Sequence, residues 1–102
     1  MLVKFNNTYL EKIYQGTAKG KVSYSSEIIT QFKKTVLRLE QADNTSQLRQ
    51  FRSLNFEALK GDKKGLFSVR VNKQYRLEFQ IENDIITLSE IILIEDLSKH
   101  YE

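Results

Sequence analysis

The hydrophobic period of this 102-residue chain changes once, and that change constrains the fold more than any other feature of the sequence. In the first half, apolar residues recur every three or four positions, which is typical of helices. From residue 57 onward they alternate with polar residues, in runs over residues 65–72, 75–82 and 85–94. Helices first and antiparallel strands later predict an α+β fold, with the N-terminal helices packed on one face of a mostly antiparallel sheet.

Local signals place the elements of the first half. Residues 2–5 are expected to form a short strand, and residues 7–15 a short helix that ends at Gly16. Ser25 suits the N-cap of the longest helix, which should run to about Ala42, and residues 46–51 add a helical turn. The apolar stripe of the long helix consists of Ile28, Ile29, Phe32, Val36 and Leu39.

Composition excludes several classes of protein. The chain has no cysteine and one histidine, so disulfides, thiolate metal sites and most zinc geometries are excluded. Its longest apolar run, residues 91–94, is too short to cross a membrane, and no secretory leader is recognisable. We therefore expect one soluble cytoplasmic domain over residues 1–102.

The charge of the chain is unevenly distributed. Residues 60–76 contain six Lys or Arg side chains and one Asp, whereas residues 77–102 contain one Lys and seven acidic side chains. A polarised surface of this kind suits a polyanion. The alternative is that the acidic strand simply pairs with the basic one.

The basic segment is predicted to form a hairpin with one apolar face. Pairing Val71 with Leu77 and Val69 with Phe79 leaves a loop of about three residues near residues 73–75. The residues that this register turns toward the core are Phe67, Val69, Val71, Leu77, Phe79 and Ile81.

The same register assigns roles to the cations of the polar face. Arg70 faces Glu78 and is expected to form a cross-strand ion pair. The register predicts no obvious cross-strand partner for Arg76, so its guanidinium is expected to bind phosphate. Lys63 and Lys64 lie in a turn, where they are either solvated or available to a polyanion.

Residues 59–79, LKGDKKGLFSVRVNKQYRLEF, resemble the signature of HigB-type toxins of the RelE/ParE superfamily. These are the toxin half of type II toxin–antitoxin modules. The resemblance implies a RelE-like fold and a ribosome-dependent mRNA endonuclease (an mRNA interferase) that inhibits translation without a cofactor or metal. It also implies three partners, namely the ribosome, mRNA and a cognate HigA-like helix-turn-helix antitoxin.

RNA supplies the nucleophile for such a reaction, because its 2′-hydroxyl can attack the adjacent phosphate. By resemblance, Arg76 contacts the scissile phosphate and Lys60 is the functional lysine of Leu-Lys-Gly. Asp96 matches an aspartate of the family, while His100 and Tyr101 supply side chains from a longer tail. The other cations expected to contact RNA are Lys63, Lys64, Arg70 and Lys73.

The chain departs from the family pattern at Glu57 and Ala58, where many relatives have His-Pro. His100 is then expected to be the acid–base residue, since an unperturbed imidazole has a pKa of about 6.5. Glu57 is the alternative base. The departure also leaves a second interpretation open, a non-catalytic RNA- or partner-binding module on the same fold.

Overall fold

A five-stranded sheet is built from four strands of the second half of the chain and one from the N-terminus. The strands are β1 (Leu2–Phe5), β2 (Glu57–Ala58), β3 (Phe67–Arg70), β4 (Tyr75–Asp84) and β5 (Ser89–Lys99). The computed structural model describes residues 1–99. The strand order is β1-β5-β4-β3-β2. β1 runs parallel to β5, and the other neighbouring strands are antiparallel.

The helices match their predicted bounds to within about one residue, and caps mark their ends. The Asn7 side chain accepts a hydrogen bond from the Leu10 amide at 3.0 Å, and Gly16 ends the first helix in the left-handed region at φ 74°. Ser25 caps the second helix by accepting from the Ile28 amide at 3.2 Å. The helices are α1 (Thr8–Gln15), α2 (Ser26–Gln41) and α3 (Thr45–Gln50), with 3-10 turns at Arg52–Leu54 and Gly61–Lys63.

The core lies between the helices and one face of the sheet. On α2, Ile28, Phe32, Val36 and Leu39 of the predicted stripe are buried, and Ile29 packs against them half-buried. The six apolar residues predicted for the core face of the hairpin all contribute to this core, Phe67 and Ile81 being half-buried. The predicted α+β architecture is confirmed.

The predicted hairpin register is wrong by two residues. Val69 pairs with Leu77, not with Phe79, and the connection spans the four residues 71–74. Asn72 stabilises this four-residue loop. Its side-chain oxygen accepts hydrogen bonds from the backbone amides of Gln74 and Tyr75, each at 2.8 Å. A shift of two preserves the faces of both strands, so the core prediction is unaffected.

The last strand also differs from its predicted bounds. Residues 85–88 form the turn between β4 and β5, so the strand begins at Ser89 and extends to Lys99. A bulge lies opposite Glu78 and Phe79, which pair with Asp96 and Ile94. None of the helices within residues 1–99 is long and apolar enough to cross a membrane.

Candidate functional site

The corrected register brings two arginines together on the face of the sheet that points away from the core, here called the open face. Arg70 pairs with Arg76, and Ser68 takes the predicted place of Arg70 opposite Glu78. The prediction that Arg70 lies directly opposite Glu78 is therefore wrong. Like charges directly opposite each other destabilise a strand pair, so an anion bound between them would be favoured.

These arginines border a cleft that opens at the loop end of the β3–β4 hairpin. The cleft is shallow and open to solvent, with an accessible volume of about 10 Å³. Arg70 is exposed, and the side chain of Arg76 retains 19% exposure. Lys73 adds a third cation, and Glu57 on β2 adds a carboxylate. The lining residues are Asn55, Glu57, Ser68, Arg70, Asn72, Lys73, Tyr75 and Arg76.

Arg76 is bound at one edge by Glu78, contrary to the expectation that it has no partner. Its Nε donates to Oε2 of Glu78 at 3.1 Å. The same oxygen accepts hydrogen bonds from Nζ of Lys63 at 2.7 Å and from the hydroxyl of Ser98 at 2.5 Å. Glu78 is 1% exposed, so it is a buried carboxylate that joins three segments of the chain.

The environment of Glu78 keeps it ionised. Burial is the largest influence and acts to raise the pKa of this carboxyl. The hydrogen bonds from Lys63, Ser98 and Arg76, together with the charge of Lys63, outweigh burial and hold the pKa of Glu78 below its usual range. A buried charge without such partners would be strongly unfavourable.

The predicted lysines occupy three different settings. Lys60 is exposed and precedes the 3-10 turn at Gly61–Lys63, outside the lining of the cleft. Lys63 ends that turn and reaches Glu78, so it is ion-paired as well as partly solvated, with 42% exposure of its side chain. Lys64 is exposed at the end of the turn. The sequence predicted neither the ion pair nor its burial.

Asp96 lies opposite Glu78, next to the bulge, and is exposed. Its carboxylate accepts the amide of Leu97 at 2.8 Å. Burial raises the pKa of the Tyr24 hydroxyl, and the charge of Asp96 raises it further. The ring of Tyr24 packs edge-on against Tyr75, which lines the cleft, at 5.9 Å between centroids. The charge of Asp96 is therefore felt by Tyr24, whose ring packs on the cleft residue Tyr75.

The predicted tail residues, His100 and Tyr101, lie outside the described residues. Glu57 is exposed, and one of its oxygens accepts Nδ2 of Asn55 at 3.3 Å. Within residues 1–99, no group of three or more His, Cys, Asp or Glu side chains is placed to hold a metal ion.

Sequence reasoning missed the central position of Glu78 and the contribution of Ser98. Ser98 is 20 residues from Glu78, and Lys63 is 15 residues from it, so no local pattern connects them. Alternation places Glu78 on the polar face of β4, between the core residues Leu77 and Phe79, where an exposed carboxylate is expected. A carboxylate at such a position is rarely buried unless it is paired.

Sequence comparisons relate this chain to known toxins. A family model for HigB, a RelE-like toxin of a type II toxin–antitoxin system, matches residues 3–90. Toxin HigB-1 of Vibrio cholerae is 39% identical over 80 residues, which cover 78% of this chain and 83% of that protein.

Solved structures share the fold at low sequence identity. The YoeB/ParE toxin from Agrobacterium tumefaciens superposes with a TM-score of 0.56 at 13% identity, covering 99% of this chain and 100% of that one. A chain of the YoeB-YefM complex from Staphylococcus aureus gives 0.54 at 16% identity, with 99% of each chain covered. The family match, the relative in Vibrio cholerae and the shared fold lead to one conclusion: this chain belongs to the HigB-like toxins, the RelE-like toxins of type II toxin–antitoxin systems.

Proposed function

We propose that this toxin is a ribosome-dependent mRNA endonuclease that cleaves message and thereby inhibits translation. The observation that carries the proposal is the pairing of Arg70 with Arg76 at the border of an open cleft, with Lys73 beside them. Three cations around one cleft suit an RNA phosphate and its flanking backbone.

The proposed reaction uses the 2′-hydroxyl of the substrate. That oxygen attacks the adjacent phosphorus, the bond from phosphorus to the 5′-oxygen breaks, and the products carry a 2′,3′-cyclic phosphate and a 5′-hydroxyl. Negative charge accumulates on the phosphorane, and Arg76 is the proposed donor to it. Because Arg76 lies on a strand and is held by Glu78, it is positioned before the substrate binds.

Two proton transfers complete the reaction. Glu57 lines the cleft and is one candidate for the base that removes the 2′-hydroxyl proton. His100 is the other candidate, with Tyr101 beside it in the sequence and Asp96 four residues before it. In the second transfer, the departing 5′-oxygen takes a proton from the protonated acid–base residue or from water and becomes the 5′-hydroxyl. Lys60, Lys63 and Lys64 are proposed to contact the RNA backbone beyond the cleft.

The proposed partners follow from the same assignment. A toxin of this kind requires an antitoxin, and one structural neighbour was solved as a complex, YoeB-YefM from Staphylococcus aureus. For this chain we propose a HigA-like helix-turn-helix antitoxin. The proposed substrate is mRNA bound to the ribosome, which places the action of the toxin in the cytoplasm.

Primer extension on a purified translation system tests this function. We expect cuts within the message when toxin and programmed ribosomes are both present, and intact message when ribosomes are omitted. The 5′ ends should carry hydroxyl groups, as transfer to the 2′-oxygen requires. Binding to ribosomes with no cut at any toxin concentration would contradict the proposal and favour the non-catalytic binding module.

A further inference from the structure

The buried carboxylate of Glu78 connects the segments to which catalytic roles are assigned above. It holds Arg76 on its own strand, Lys63 in the 3-10 turn at Gly61–Lys63, and Ser98 near the end of β5. Lys60 precedes that turn directly, and Ser98 precedes His100 by two residues in the sequence. One carboxylate oxygen, Oε2, receives all three donors.

We propose that Glu78 is the positioning residue of this site, which fixes the plane of the Arg76 guanidinium and draws the lysine turn and the end of β5 toward it. The inference rests on the proposed function, because it assigns Glu78 a role in that reaction. It assigns no contact between Glu78 and RNA. A carboxylate at 1% exposure, covered by its three donors, is not placed to meet a polyanion.

Geometry explains why such a residue is needed. An arginine has several rotatable bonds, and a guanidinium free to rotate would have to be ordered in every catalytic cycle. Glu78 engages the Nε edge of Arg76 and so restrains the plane of the whole guanidinium. Fixing one edge of a planar fork fixes the direction of the other donors.

The contact also explains how a negative charge can belong to an anion-binding site. An exposed carboxylate in direct contact with the Arg76 guanidinium would compete with phosphate for it. The negative charge of Glu78 is instead balanced by the positive charges of Lys63 and Arg76, at 2.7 and 3.1 Å. Its electrostatic field toward the cleft is therefore largely cancelled. Burial shields the carboxylate from the substrate while leaving its hydrogen bonds intact.

Glu78→Gln tests the role, with Glu82→Gln as the matched control. Glu82 lies four residues along the same strand and is exposed, so its replacement removes the same charge without touching the three donors. In single-turnover cleavage of ribosome-bound message, we expect the rate constant of Glu78→Gln to fall about 10- to 100-fold. Affinity for programmed ribosomes should change less than about threefold, since Glu78 does not touch RNA.

A purely structural role gives a different result. At saturating toxin, a variant that is only less stable keeps the wild-type rate constant, because the remaining folded toxin still exceeds the programmed ribosomes. That outcome would overturn the inference. So would an equal loss of rate in Glu82→Gln, because it would show that net charge alone matters.

A second measurement, NMR exchange of the Arg76 Nε proton, needs no cleavage activity. This proton should be protected in the wild type and in Glu82→Gln, and should exchange at least about tenfold faster in Glu78→Gln. If the wild type does not cleave but shows this pattern, the proposed endonuclease function fails while the positioning of Arg76 by Glu78 stands. An unprotected Nε proton in the wild type would refute the positioning itself.

Discussion

Replacing Lys63 with methionine tests the buried ion pair at its solvent-facing end. Methionine keeps much of the aliphatic length of lysine but removes the ammonium that donates to Glu78 at 2.7 Å. Hydrogen bonds to charged groups contribute about 1.5–3 kcal/mol. The lysine side chain is 42% exposed, which weakens the interaction through solvent screening. We therefore expect Lys63→Met to lower the free energy of unfolding by about 1–2 kcal/mol near pH 7.

The pH dependence of this loss identifies its cause. The folded-state pKa of Glu78 lies below its ordinary value, so its interactions contribute stability above about pH 4.3. That contribution is lost as the pH falls through the folded-state pKa. In Lys63→Met the carboxyl keeps its burial and loses its strongest donor, so its pKa rises. The difference in unfolding free energy between wild type and variant should therefore shrink from pH 7 to pH 3.

Urea denaturation at a series of pH values measures these free energies, and Lys64→Met is the control. Lys64 is exposed in the same turn, so its replacement should change stability by less than about 0.5 kcal/mol at every pH. A difference for Lys63→Met that stays constant from pH 7 to pH 3 would refute the ion pair as its cause. Equal stability of the two variants would show that Lys63 is solvated.

Two further predictions concern the core and the tail. Leu77→Ala removes a fully buried side chain and should lower the free energy of unfolding, measured by urea denaturation, by about 2–5 kcal/mol. Gln80→Ala, at an exposed position of the same strand, should lower it by less than about 0.5 kcal/mol. Similar values for the two variants would contradict the assigned faces of β4. Deleting residues 100–102 should leave the thermal melt within a few degrees of wild type, because the buried residues of β5 end at Leu97. The same deletion should abolish cleavage of ribosome-bound message, and full activity would exclude His100 and Tyr101 from the reaction.

Local signals account for what the sequence predicted correctly. The cap at Ser25, the stop at Gly16 and the apolar stripe of α2 each depend on residues within a few positions of one another. Alternation likewise determined which side chains of the hairpin enter the core. These features require no knowledge of which segments meet in space.

The register and the site depend on contacts that alternation does not specify. A slip of two residues between β3 and β4 keeps every face and changes every partner, so the core was predicted correctly while Arg70 and Arg76 were given the wrong neighbours. The turn chemistry of Asn72, which accepts two amides, was the available signal for the longer loop. The contacts of Glu78 with Lys63 and Ser98 join distant segments and required the structure.

Arg76→Ala, measured by single-turnover cleavage of message on ribosomes, tests the central claim most directly. Lys34→Ala is the control, because it removes one positive charge from an exposed position on α2. If Arg76 donates to the phosphorane, its loss should lower the rate constant of the folded protein by about 10²–10³. Lys34→Ala should retain the wild-type rate constant within about twofold. A rate constant for Arg76→Ala equal to that of the wild type would contradict the account.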